Sequence, residues 1–183
     1  VSCQNDNLKN SDSIKAISKE TVKNTLISSE NQLGFIDTYT FTFLELMHTD
    51  DTYGEWGGDT DIIWIYSSGT DYFANYRRYL GSKEPPPPPP PPKENEKPKK
   101  WYDYLKPEIR KDSIQLNKHT KNLVEEAVFE LFKNKIKNDQ GFSHSGISNS
   151  AVLGDSTFII YDYPSIEWQK FHELKNMLMG EEN

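Results

Sequence analysis

Eight consecutive prolines, Pro85 to Pro92, stand near the middle of the 183-residue chain in the stretch "GSKEPPPPPPPPKENEKPKK". Proline fixes φ and removes the backbone N–H donor, so this stretch cannot lie within a sheet or a helix. It predicts a polyproline II rod of roughly 25 Å at about 3.1 Å per residue. Residues 81–100 therefore divide the chain without ending it, because the segment before them is too short to bury a sound core alone. The expectation is a single α+β domain over 14–183, interrupted by this surface insertion, with a flexible tether over 1–13. As a rod the insertion serves as a spacer; its preset shape would also suit an aromatic-grooved partner.

Periodicity supplies the elements on either side. "SIKAISKETVKNTLIS" spaces Ile14, Ile17, Val22 and Leu26 for a short helix. "DTYTFTFLELMH" alternates Tyr39, Phe41 and Phe43 against threonines, the pattern of a strand, and "IIWIY" reads as a second, buried strand. "SSGT" turns the chain into "DYFANYRRYL", whose rings at 72, 73, 76 and 79 suit a third strand or a short helix, a strand being the expectation. Beyond the prolines, "NKHTKNLVEEAVFELFKNKIKND" carries Val124, Val128, Leu131 and Ile136 on one side, with its lysines toward the end, as a helix dipole favours. "SAVLGDSTFIIYDY" predicts a hairpin turning at Gly154-Asp155. "PSIEWQKFHELKNML" predicts a helix opening at Pro164-Ser165 with Trp168, Phe171, Leu174 and Leu178 inward. Helix, strands, helix, strands, helix in this order predicts an antiparallel sheet covered by helices. Aromatic residues, 13% of the chain, must supply much of its core.

The opening Val1-Ser2-Cys3, followed by Gln4-Asn5-Asp6-Asn7, resembles the end of a bacterial lipobox, in which a small residue precedes the acylated cysteine. The resemblance implies a bacterial lipoprotein with a diacylglyceryl group on Cys3. It also implies residence in the cell envelope, with Lys9 to Ser13 as a polar leash. Cys3 is the only cysteine, which excludes an intrachain disulfide framework or a thiolate zinc cluster. No stretch approaches the eighteen or so apolar residues of a spanning helix, so contact with the membrane is expected through that lipid alone.

Motifs for catalysis are few. "FSHSGISNS" gathers Ser143, His144, Ser145, Ser148 and Ser150, but it lacks the second glycine of a nucleophile elbow and follows a helix. His172-Glu173 lacks a zincin's second histidine; His119 lies near a helix start and His48 borders an acidic loop. No metal-binding histidine pair emerges from the spacing. Gly54, Gly57 and Gly58 do not form a phosphate-binding fingerprint. Neither a catalytic set nor a cofactor is expected. An EF-hand order of acids is missing too, so Asp50, Asp51, Glu55, Asp59 and Asp61 do not predict a calcium site.

Charge is the informative feature. From Asn24 through Tyr76 there is no Lys or Arg, and residues 1–84 hold 7 basic against 13 acidic side chains, −6 of the net −7. Such a segment predicts an acidic face that repels nucleic acid and attracts a basic protein. The expected binding residues are Asp50, Asp51, Glu55, Asp59 and Asp61 with the aromatic anchors Tyr53 and Trp56. The function expected is an envelope-anchored protein-binding module, of the inhibitor or immunity type. The alternatives are an envelope hydrolase using His144 or His48 as base, and a structural lipoprotein spaced by its rod.

Overall fold

Strand alternation in the sequence becomes one six-stranded antiparallel sheet in the computed structural model, which describes residues 33, 42–84, 100–138 and 143–180. The strands are β1 (Phe43–Thr49), β2 (Thr60–Ser68), β3 (Asp71–Tyr79), β4 (Ile109–Gln115), β5 (Ile147–Leu153) and β6 (Ile159–Ser165). Their order across the sheet is β4-β3-β2-β1-β5-β6. Two α-helices, α1 (Lys118–Lys137) and α2 (Gln169–Met179), and two short 3-10 turns, Gly54–Trp56 and Trp101–Tyr104, complete the described elements. The fold is α+β, with helices laid on the sheet. The tether, the helix expected over 14–26, the first part of the long strand and the proline rod lie outside the described residues.

The side-chain alternation of the strands sorts residues onto two faces. Leu44, Leu46, Ile63, Ile65 and Ala151 point to the helix side, where they bury completely against Val124, Leu131, Phe171 and Leu174. Trp168, fully buried, stacks on Phe171 at 4.8 Å and donates its indole N–H to the Ala127 carbonyl at 2.8 Å, tying the start of α2 to the middle of α1. The backbone of Lys170 adds a second tie, donating to Glu130 Oε2 at 2.7 Å. Asn117 caps α1 by accepting from the Thr120 amide at 2.9 Å, and Lys135 and Lys137 occupy its last turn.

The opposite face is half covered. Trp101–Tyr104, a short 3-10 turn, lays Tyr102 against Tyr79 and Trp64, which together with Ile62 form a second small core over β1, β2 and β3. Over β5 and β6 no described element lies on this face.

Two expectations are refined, and one strand is new. The last helix begins at Gln169, because Pro164 and Ser165 still belong to β6, with a cis peptide at Tyr163-Pro164. Ile136 does not share the buried side of α1 but stands 67% exposed. Strand β4 had no counterpart in the sequence reading: it is an edge strand of mixed exposure, its ladder to β3 broken by a shift between Ala74 and Tyr76.

Candidate functional site

A row of polar residues crosses the helix-covered face at one end of the sheet. The register sets Arg78 opposite Asp61, Asp61 opposite His48, His48 opposite Asn149, and Asn149 opposite Asp162. One step further in, the row Tyr76, Ile63, Leu46, Ala151 and Ile160 belongs to the apolar core. Burying a polar row beside that core is favourable only if each group is paired.

The pairing runs in one direction. Asn149 Nδ2 donates to the Ile166 carbonyl at 2.9 Å, which fixes the amide orientation, and to Ser165 Oγ at 2.9 Å. Asn149 Oδ1 therefore accepts, at 2.7 Å, from His48 Nδ1, which must carry the ring proton. Ser165 in turn donates to Asp162 Oδ2 at 2.6 Å. His48, Asn149, Ser165 and Asp162 form a donor chain that ends on a fully buried carboxylate. Asp162 is further met by Asn138 Nδ2 at 3.0 Å and by the Lys135 ammonium at 3.6 Å.

That chain leaves the His48 Nε2 lone pair for what lies above it. The first turns of α2 and the residues just before it bring His172 and Glu167 there. The two imidazoles meet edge to face with centroids 4.7 Å apart, and His172 Nε2 lies 2.6 Å from Glu167 Oε1. Close as that contact is, it is not a hydrogen bond, and the nitrogen is buried without a hydrogen-bond partner among the described residues. One ligand-type atom from each of His48, Glu167 and His172 lies within 4.8 Å of the other two. Burial, then the neighbouring His48 and Lys175, holds the His172 pKa below the ordinary imidazole value. On the other side of His48, Asp61 takes the Tyr76 hydroxyl at 2.6 Å and the Lys175 ammonium at 3.0 Å.

The structure divides the expected acidic face. Asp61 points into the helix-covered side, buried and ion-paired, instead of standing on an outer surface. Asp59 pairs with Arg78 at 2.6 Å and accepts from the Gly81 amide at 3.0 Å. Asp50 folds its own loop, with Oδ1 accepting from the amides of Thr52 at 3.0 Å and Asp59 at 3.1 Å; a Cβ on Gly58 would come within 1.6 Å of that oxygen. Asp51 and Glu55 are exposed and Tyr53 is half-buried; the Trp56 side chain lies outside what the structure describes. An uncompensated plate of carboxylates is thus not what the fold presents. Its negative surface at this loop reduces to Asp51 and Glu55, since cations from later in the chain reach Asp59 and Asp61.

The hydrolase candidates do not assemble a nucleophile and base. His144 is exposed and makes no hydrogen bond among the described residues, while its neighbour Ser143 donates to the Ser145 carbonyl. His48 donates to Asn149, and no hydroxyl among the described residues hydrogen-bonds to it. His119 is exposed at the start of α1. Cys3 lies outside the described residues. Spacing in the sequence did not pair His48 with His172; only strand register and the docking of α2 bring them together.

No family model, curated protein or solved structure matches this chain.

Proposed function

We propose that this chain is a protein-binding module, tethered to a bacterial cell envelope by a lipid on Cys3, that holds a basic partner against the uncovered half of its sheet. The single observation carrying this reading is the apolar stripe on β6. Ile159, Tyr161 and Tyr163 alternate outward and are 60%, 53% and 38% exposed, with Phe158 beside them. Phe43 and Val152 continue the stripe onto β1 and β5, half-buried. Contiguous apolar surface of this kind on a polar protein marks a contact site, and tyrosine is a favoured anchor there.

Charge selects the partner. Strands β1, β5 and β6 contain no Lys or Arg, and neither do residues 143–166 as a whole. Exposed Asp51 and Glu55 stand in the loop after β1, and exposed Asp155 in the turn between β5 and β6. A partner with an apolar centre and a cationic rim gains speed of encounter from these carboxylates, and Lys100 on this face is already paired with Glu45. An inhibitor or immunity-type role fits these features and the absence of an assembled nucleophile and base among the described residues.

The test places the photocrosslinker p-benzoylphenylalanine at Tyr161, and separately at Phe129 of α1, in the full chain expressed in its source cells. The reading expects a single adduct from position 161, with a basic protein, whose yield falls as salt rises or when Asp51 and Glu55 are changed to Lys. Adducts identical from both positions, adducts only with a second copy of the chain, or no adduct would sink it.

A further inference from the structure

The unused lone pair of His48 has a chemical consequence. Two imidazoles and a carboxylate converge at the top of the polar row, and none of the three is occupied as an ordinary hydrogen-bonded core would leave it. His48 offers Nε2, since Nδ1 is committed to Asn149. His172 offers a buried Nε2 that makes no hydrogen bond despite lying against Glu167. Glu167 offers a carboxylate whose side chain is 60% exposed, so the side of the cluster away from the sheet is open to water.

We infer that His48, Glu167 and His172 bind a divalent transition-metal ion of the zinc type, with water in the fourth position. Two nitrogens and one carboxylate oxygen are a recurrent zinc ligand set, and imidazole selects such ions over magnesium or calcium. Bound zinc holds its ligand atoms about 3.3 Å apart, as follows from metal–ligand bonds of about 2.0–2.1 Å in a tetrahedron. One ligand-type atom from each of the three residues lies within 4.8 Å of the other two, so at most about 1.5 Å of closure completes the site. Glu167, exposed and ahead of α2, is the side chain free to make that movement.

The surroundings fit a ligand better than a packing residue. A metal-bound histidine characteristically donates its other ring N–H to a fixed acceptor, which orients the ring and raises its basicity. His48 does this through Asn149 and Ser165 to the buried Asp162, an aligned chain whose dipoles all push electron density toward Nε2. The plainer role of two core imidazoles packed edge to face would call for neither the directed chain nor a buried His172 Nε2 that makes no hydrogen bond. The inference is independent of the docking surface on β6, which lies on the other face of the sheet.

The test uses the full chain stripped with a chelator and titrated with Zn²⁺ by calorimetry and with Co²⁺ by visible absorption. One ion per chain is expected, with the d–d spectrum of four-coordinate cobalt and a rise in the unfolding temperature on binding. His172→Ala should abolish the spectrum, and Glu167→Gln should weaken binding by about tenfold or more. His119→Ala and His144→Ala should leave both unchanged. If His172→Ala fails to fold, Glu167→Gln at its exposed position decides alone. Absence of binding, or binding that survives Glu167→Gln and follows His119, His144 or the 50–61 loop instead, overturns the assignment.

Discussion

Lys100, the first described residue after the proline stretch, grips both oxygens of Glu45 on β1, with its Nζ 2.7 Å and 2.8 Å away. Trp64 Nε1 and the Tyr102 hydroxyl donate to the same carboxylate at 2.7 Å and 2.6 Å. Glu45 is 4% exposed, so this one buried anion fastens the returning chain to the sheet. Burial and the adjacent Glu45 raise the Tyr102 pKa well above the ordinary phenol value, so the ring stays a donor at any physiological pH.

Removing the anion should therefore free the segment more than it unfolds the sheet. Glu45→Ala is expected to expose Trp101 and Tyr102, with faster chymotryptic cleavage there and earlier amide exchange over 100–105, while β1 and β2 remain protected. Cleavage no faster than in the parent chain would show that Tyr102 packing alone holds the segment.

Asp59 and Arg78 set an acid dependence. Burial alone would raise the Asp59 pKa, but the Arg78 hydrogen bond, the Gly81 amide and the Arg78 charge outweigh it and bring the carboxyl below its ordinary value. A carboxyl depressed in the folded state stabilises fully above its unfolded pKa, about 3.9, and that contribution fades as pH falls through the folded value. Asp59→Asn is expected to be less stable than the parent at pH 7 and to close that gap as pH falls below about 4. Urea midpoints across that range measure it; a gap independent of pH would remove the ion pair as its cause.

What was legible in the chain was whatever rests on local period. Strand β2, the hairpin of β5 and β6 and helix α1 follow from their residue patterns, as do the four apolar anchors Trp168, Phe171, Leu174 and Leu178, whereas the rings of β3 at 72, 73, 76 and 79 keep neither period and left a short helix open. Strand β4 was hidden because "IRKDSIQ" carries Arg110, Lys111 and Asp112 in sequence, and Ser113 takes a left-handed φ of 53° that breaks the alternation. Pro164-Ser165 imitates a helix start, yet the backbone there still pairs with β5, and Trp168 opens α2 with no side-chain cap.

The site was less legible, for a different reason. His48 and His172 are 124 positions apart in number, and their meeting depends on the strand register and on where α2 docks, neither of which a local pattern encodes. The cation-free run before Arg77 is visible in sequence, but it did not reveal that Lys100, Arg78 and Lys175 would return to Glu45, Asp59 and Asp61. Charge segregation along a chain survives folding only where no long cationic side chain from elsewhere can reach.

The β6 stripe carries an expectation about stability. Groups already exposed lose little when shortened, so Ile159→Ser with Tyr161→Ser should shift the unfolding free energy by no more than about 0.5 kcal/mol. A loss of several kcal/mol in the isolated chain would mean that another part of the same chain covers the stripe, and the surface would not be available to a partner.

Asp61 and Lys175 supply the sharpest energetic test, because both are largely withdrawn from water, with side chains 6% and 18% exposed. Lys175→Met leaves the carboxylate of Asp61 with the Tyr76 hydroxyl as its described donor and the Arg78 charge opposite it, and losing one partner of so buried a pair costs up to about 3–5 kcal/mol. Asp61→Asn strands an ammonium that can still swing toward solvent, and so should cost less. The double variant should recover much of the Lys175→Met loss, since a neutral amide beside an apolar side chain needs no counter-ion while Tyr76 can still donate to the Asn oxygen. A double-mutant cycle by urea unfolding reads this as a coupling energy of roughly 2 kcal/mol or more. Additive losses would mean that Asp61 is held chiefly by Tyr76, and that Lys175 contributes to the polar row by packing alone.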